Sequence, residues 1–139
     1  MQDNISIQDL QAYKYMSKEI EALQLELKQL YQPIKSPKLE SIGARGNEVS
    51  NPTEQALHKV LNLEYKINVK INALAEELER IQEWLDTVDD IKVRTCIQWH
   101  YLVGLTWKET TKKVFGSHYG DDNARKIVMN YFDKEKKQD

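Results

Sequence analysis

A single cysteine, Cys96, excludes an intramolecular disulfide and a cysteine-based zinc knuckle, and it suits a reducing compartment. Five glycines and three prolines are too few for a loop-rich or low-complexity chain, and two of the prolines, Pro33 and Pro37, fall close together. No apolar run is long enough to span a bilayer. The opening Met1-Gln2-Asp3-Asn4 lacks the basic-then-apolar layout of a secretion signal, so a cytoplasmic location is expected. The sequence also contains no Gly-rich phosphate loop, no metal box and no Ser/His/Asp arrangement, so neither a cofactor, a metal, a small-molecule substrate nor enzyme chemistry is expected.

What remains is rich in Leu, Ile, Glu and Lys in long glycine-poor runs, which favours an all-α protein. The net charge of -2 hides an asymmetry. Residues 1–91 hold 10 Lys/Arg and 16 Asp/Glu, a balance of -6, whereas residues 92–139 hold 10 and 6, a balance of +4. Contact with nucleic acid is a local electrostatic event, so the basic last third matters more than the overall pI.

Tyr13, Met16, Ile20, Leu23, Leu27 and Leu30 alternate three and four apart, which puts them on one stripe of a helix over 5–31. Pro33 lacks an amide donor and crowds the preceding turn, so the helix should end near Tyr31. Residues 32–51 carry Pro33, Ser36-Pro37, Gly43, Gly46 and Asn47 with no periodicity and read as a linker. A second helix then starts cleanly, with Asn51 as cap, Pro52 at the first helical position and Glu54 able to close a capping box. Its heptad runs Leu57, Val60, Glu64, Ile67, Ile71, Leu74, Leu78, Ile81, Leu85, Val88, with Glu64 as the one polar position, able to fix register or partner. A helix over 52–88 would be roughly 55 Å long. The first helix can fold back on part of it. The leftover apolar stripe points to a homo-oligomer through the heptad helices, while the bland alternative is an intramolecular hairpin.

Asp89-Asp90 interrupts this pattern and can cap a helix over about 91–103, which Gly104 ends. Thr106 caps a helix over 107–115, with Glu109 placed for a second capping box. A turn at 116–121 leads to a last helix over about 122–135, with Asp121 or Asp122 at its positive end. Three short helices in this order make a helix-turn-helix, for which Ile97, Tyr101, Leu105, Trp107, Val114, Phe115, Ile127, Val128 and Tyr131 are the candidate core. Trp99 and Trp107 fit a small helical core, and Trp84 beside Leu85 could mark a contact between stalk and tip. Arg125, Lys126, Asn123 and Asn130 on the last helix are the candidate base readers, because Arg and Asn reach guanine and adenine edges bidentately. Lys108, Lys112 and Lys113 on the preceding helix would lie along phosphates. Cys96 and His100, four apart, could form a thiol–base pair, but a core cysteine and a rim histidine are the expected reading. Glu76-Glu77 and Asp89-Asp90 point apart on a helix and are poor catalytic dyads.

Arg94-Thr95-Cys96-Ile97, Tyr101-Leu102 and Gly104-Leu105-Thr106-Trp107 together resemble the region-4 helix-turn-helix of bacterial sigma factors. With Gly116, Asp122-Asn123-Ala124-Arg125-Lys126 and the Pro52-Thr53 helix start, the chain looks more like the RinA/ArpU-like late transcription regulators of phages infecting Gram-positive bacteria. The resemblance covers about residues 50–133 in layout and about 91–132 in motif. It implies promoter binding on double-stranded DNA, switching on late genes in a bacterial host, with host RNA polymerase as a further partner. Two features depart from it: Thr110-Thr111 stands where Ile-Ala is usual, and the turn Gly116-Ser117-His118-Tyr119-Gly120 is long. The expected organisation is therefore an all-α chain: an N-terminal helix (1–31), a linker (32–51), a long coiled-coil helix (52–88) and a helix-turn-helix domain (89–139). The other classes to weigh are a small-terminase-like DNA-packaging protein, which typically places its DNA module before the coil, and a coiled-coil adaptor that contacts polymerase without DNA.

Overall fold

The computed structural model describes residues 4–35 and 52–138. The expected capping residue Asn51 and all of the expected linker beyond Lys35 lie outside the described residues. The protein is all-helical, as the patterning predicts: α1 (Ile7–Lys35), α2 (Pro52–Leu85), α3 (Ile91–Ile97), a π-helical turn (Gln98–Val103), α4 (Trp107–Phe115) and α5 (Asn123–Gln138).

The helix ends follow local chemistry. Before α1, the Ser6 hydroxyl accepts from the Asp9 amide at 3.2 Å and the Asp9 carboxylate accepts from the Ser6 amide at 3.0 Å, a reciprocal cap that ties two free donors. The expected stop at Tyr31 is corrected: α1 continues through Pro33 to Lys35. A proline this close to a helix end removes one ladder bond and leaves few beyond it to disturb. The long helix ends at Leu85 rather than Val88, because the Thr87 hydroxyl and amide both turn back to the Trp84 carbonyl, at 2.6 and 2.8 Å. Val88 is nonetheless fully buried.

The chain divides into two compact units. One comprises Met16–Ala73. Here the Tyr31 hydroxyl donates to the Glu64 carboxylate at 2.6 Å and Lys70 pairs with Glu19 at 3.3 Å, so the two helical stretches run antiparallel. Ile20, Leu23, Val60 and Ile67 are buried apolar side chains here among the described residues. Glu64, the polar heptad position, thus finds its partner on α1 of the same chain.

The other unit joins Met1–Tyr15 to Leu74–Asp139, and so extends beyond the expected 89–139 segment. Leu10 and Tyr13 from α1, Ile81 and Leu85 from α2, and Val88 pack with Val93, Cys96, Ile97, Tyr101, Ala124, Val128 and Phe132 in one core. Each fully buried aliphatic side chain here contributes about 1.5–3 kcal/mol from lost contact with water. Trp84 stacks on Phe132 at 5.9 Å, and Arg80 is held between Glu77 (2.6 Å) and Asp9 (3.6 Å). The short helices α3, α4 and α5 pack against one another on this base.

Candidate nucleic-acid interface

Two buried polar residues set the shape of the three short helices. The first is His100. α3 starts on Asp90, whose carboxylate accepts from the amides of Lys92 (3.0 Å) and Val93 (3.4 Å). After Ile97 the backbone widens, and the amides of Gly104 and Leu105 both return to the Trp99 carbonyl, at 3.1 and 3.0 Å. Gly104 takes φ +103°, a left-handed conformation that glycine adopts without a side-chain penalty. In this wide turn His100 and Tyr101 are both buried. The His100 ring stacks on Trp107 at 3.5 Å between centroids, and Tyr101 meets both rings edge-on. Its Nδ1 lies 2.7 Å from the Leu105 carbonyl, and its Nε2 lies 3.4 Å from Lys14 Nζ. A carbonyl only accepts and an ammonium only donates, so Nδ1 carries the proton and Nε2 accepts. Burial, with a smaller push from Lys14, pulls the His100 pKa down to about 4, against the raising effect of the Leu105 bond. The expected rim histidine is therefore a neutral core histidine.

The second is Thr111. α4 opens with a reciprocal cap, in which the Thr106 hydroxyl accepts from the Glu109 amide (3.0 Å) and Glu109 accepts from the Thr106 amide (2.9 Å). One turn further on, Thr110 and Thr111 are buried. The Thr111 hydroxyl donates to the Asp121 carbonyl at 3.1 Å and accepts from the Ala124 amide at 3.0 Å. It therefore ties the middle of α4 to the first turn of α5 across the long 116–122 connection. Of the two threonines, Thr111 alone supplies this fastening. The Thr110 hydroxyl, equally buried, has no hydrogen-bond partner among the described residues.

The outward faces carry the candidate contact residues. Lys108 and Lys112 are exposed on α4 and sit one turn apart on one stripe. Among the described residues they form no ion pair. Lys113 is exposed too, but its ammonium lies 5.1 Å from the centre of the half-buried Trp99 ring, over its electron-rich face. Trp99, Leu105, Glu109, Lys112 and Lys113 line a shallow recess of about 360 Å³. On α5, Lys126 and Asn130 are exposed one turn apart, with half-buried Asn123 at the start of the same stripe. Arg125 points about 100° away from Lys126 and donates to the Asp122 carboxylate at 3.0 Å. That bond and the two cations Arg125 and Lys126 hold the Asp122 pKa below the ordinary carboxylate value. The backbone carbonyl of Asp122 receives the first α5 bond, from Lys126 at 3.0 Å, so Asp122 caps α5 in position while its side chain serves Arg125.

The candidate readers thus fall into two groups on α5, Asn123/Lys126/Asn130 and Arg125/Asp122, beside the lysine stripe on α4. Burial, with a smaller push from Asp90, raises the Cys96 thiol to about 11, and both nitrogens of His100 are engaged. The pair therefore holds no thiolate and no free base. Glu77 is tied to Arg80 while Glu76 faces solvent, as their spacing predicts. Among the described residues no group of His, Cys, Asp and Glu could hold a metal ion, and no helix is long and apolar enough to cross a membrane.

No family model, curated protein or solved structure matches the chain.

Proposed function

We propose that the protein is a sequence-specific DNA-binding transcription regulator of the RinA/ArpU-like kind, reading duplex DNA with α4 and α5. The observation that carries this reading is the arrangement fastened by Thr111. An exposed stripe on α4, Lys108 and Lys112, which form no ion pair among the described residues, is held beside a helix that turns Lys126 and Asn130 outward. Lysines on one helix and amide or guanidinium groups on the next are what backbone positioning and base readout respectively require.

In this mechanism Lys108 and Lys112 neutralise phosphates and release counterions. Arg125 is the candidate guanine reader. Its guanidinium exchanges the exposed Asp122 carboxylate for a base edge, so bound and free states compete for the same donor. The carboxylates of Asp121 and Asp122 repel phosphate, which disfavours docking with the start of α5 against the backbone and favours an approach along the Lys126/Asn130 stripe.

The test is a fluorescence-anisotropy titration of labelled duplexes over a salt series. Binding that weakens with salt, with a slope that becomes shallower by about 0.9 for each lysine removed from α4, supports the proposal. Binding indifferent to salt and to Lys108→Ala/Lys112→Ala overturns it.

A further inference from the structure

Among its described residues, the unit Met16–Ala73 exposes more large apolar side chains than it buries: against four buried ones it presents Leu25, Leu57, Leu61, Tyr65, Val69 and Ile71 to solvent. Four of these form a second stripe on α2, which shares only Leu57 with the heptad pattern. Leu57 (51% exposed), Leu61 (53%), Tyr65 (72%) and Val69 (48%) recur every fourth residue.

Tyr65 is the centre of this face, and its helical neighbours are the residues three, four, seven and eight positions away. On its two sides these pair by type: Leu61 with Val69, Asn62 with Asn68, His58 with Asn72, and Leu57 with Ala73. All of them are exposed, and none is Lys, Arg, Asp or Glu. The lysines of this stretch, Lys59, Lys66 and Lys70, fall to one side of it. A solvated helix face is normally the charged one. A face cleared of charge, with a tyrosine at its centre and apolar and amide groups around it, has the composition of an interface core.

We infer that this face binds a second copy of the same chain, antiparallel, about a two-fold axis through Tyr65. The matching about Tyr65 selects that occupant. A two-fold contact sets residue 65+n of one copy against 65-n of the other, so a self-complementary face must repeat its chemistry on both sides of the axis. Here Leu61 meets the second copy's Val69 and Asn62 meets its Asn68, apolar against apolar and amide against amide. A foreign partner imposes no such symmetry. The contact is a helix pair about 25 Å long from residue 57 to 73. A single helix pair of this length is smaller than a standard interface of ~800 Å² per partner, so the dimer is expected to be reversible. Val60 and Ile67, the buried heptad positions of this stretch, lie outside the contact. This inference is independent of DNA binding.

Sedimentation velocity of the full chain over the micromolar range tests it, with circular dichroism confirming that helix content is unchanged in each variant. A concentration-dependent monomer–dimer equilibrium is expected, weakened ~30-fold or more by Tyr65→Glu and left alone by Lys66→Glu, a neighbouring exposed change off the face. Under mild oxidation an equimolar mixture of Asn62→Cys and Asn68→Cys chains should form the mixed disulfide dimer, and neither variant alone should cross-link. Cys96 is fully buried and takes no part. A wild-type chain that stays monomeric overturns the inference, as does a dimer insensitive to Tyr65→Glu. Cross-linking of either cysteine variant by itself overturns the antiparallel placement.

Discussion

The Thr111 hydroxyl lies 3.0 Å from the amide of Ala124 and holds the first turn of α5 onto the middle of α4. Both partners are buried, so the bond cannot be replaced by water. Thr111→Val keeps the shape of the side chain and strands the Ala124 donor. The expected cost is about 1–3 kcal/mol of unfolding free energy, the penalty for an unsatisfied buried polar group. Thr111→Ser should retain most of the stability. Urea unfolding monitored by far-ultraviolet dichroism reads both.

His100 makes stability depend on pH. Its folded pKa of about 4 lies below the ordinary 6.5. Between these values the unfolded chain binds the proton and the folded chain does not, so stability rises with pH across that window. The contribution is fully present above pH 6.5, is lost as pH falls toward 4, and amounts to at most about 3 kcal/mol. Urea midpoints measured at several pH values should show this slope in the wild type. His100→Gln should flatten it while lowering stability at neutral pH, because the Trp107 stack is lost.

The Thr106–Glu109 box fixes where α4 begins. Thr106→Ala should cost about 1 kcal/mol, within the range measured for lost helix caps. Since Leu105 and Trp107 flank this cap and both touch His100, the loss should also raise hydrogen exchange in the π-helical turn.

The electrostatic predictions separate the two helices. Lys112→Ala should weaken binding to all duplexes alike, whereas Arg125→Ala should reduce the preference for the best sequence by roughly tenfold or more. Asp122→Asn frees Arg125 and removes a repelling charge, so affinity for random duplex should rise and the salt dependence should steepen. Anisotropy titrations with specific and random duplexes distinguish these outcomes. Unchanged specificity in Arg125→Ala would mean that the Asn123/Lys126/Asn130 stripe does the reading.

Much of this architecture was written in local patterns. The three-and-four spacing from Tyr13 to Leu30 and from Val60 to Leu85 located both long helices, and Asp90, Gly104 and Thr106 marked helix ends by their capping chemistry. All nine expected core residues of the tip are buried or half-buried. What periodicity could not give was long-range pairing. Glu64 read as a polar interruption able to fix register or partner, and the spacing alone did not name that partner, Tyr31, 33 residues earlier. His100 read as a rim residue because histidine is so often partly exposed, although its place four residues after buried Cys96 puts it on the buried face of the helix. Thr110-Thr111 read as a departure from a known motif. A β-branched hydroxyl on the buried side of α4, facing the Asp-Asp-Asn start of another helix, was the available sign of the latch. The exposed stripe at Leu57, Leu61, Tyr65 and Val69 was masked by the stronger heptad on the same helix.

Whether the protein reads DNA sequence is decided by a selection of bound duplexes from a random pool at physiological salt. Enrichment of a defined motif that Arg125→Ala relaxes is expected. Recovery of no motif, with binding that tracks only salt, would contradict it and favour a packaging or architectural role; no binding at all would leave the helical surfaces to protein partners.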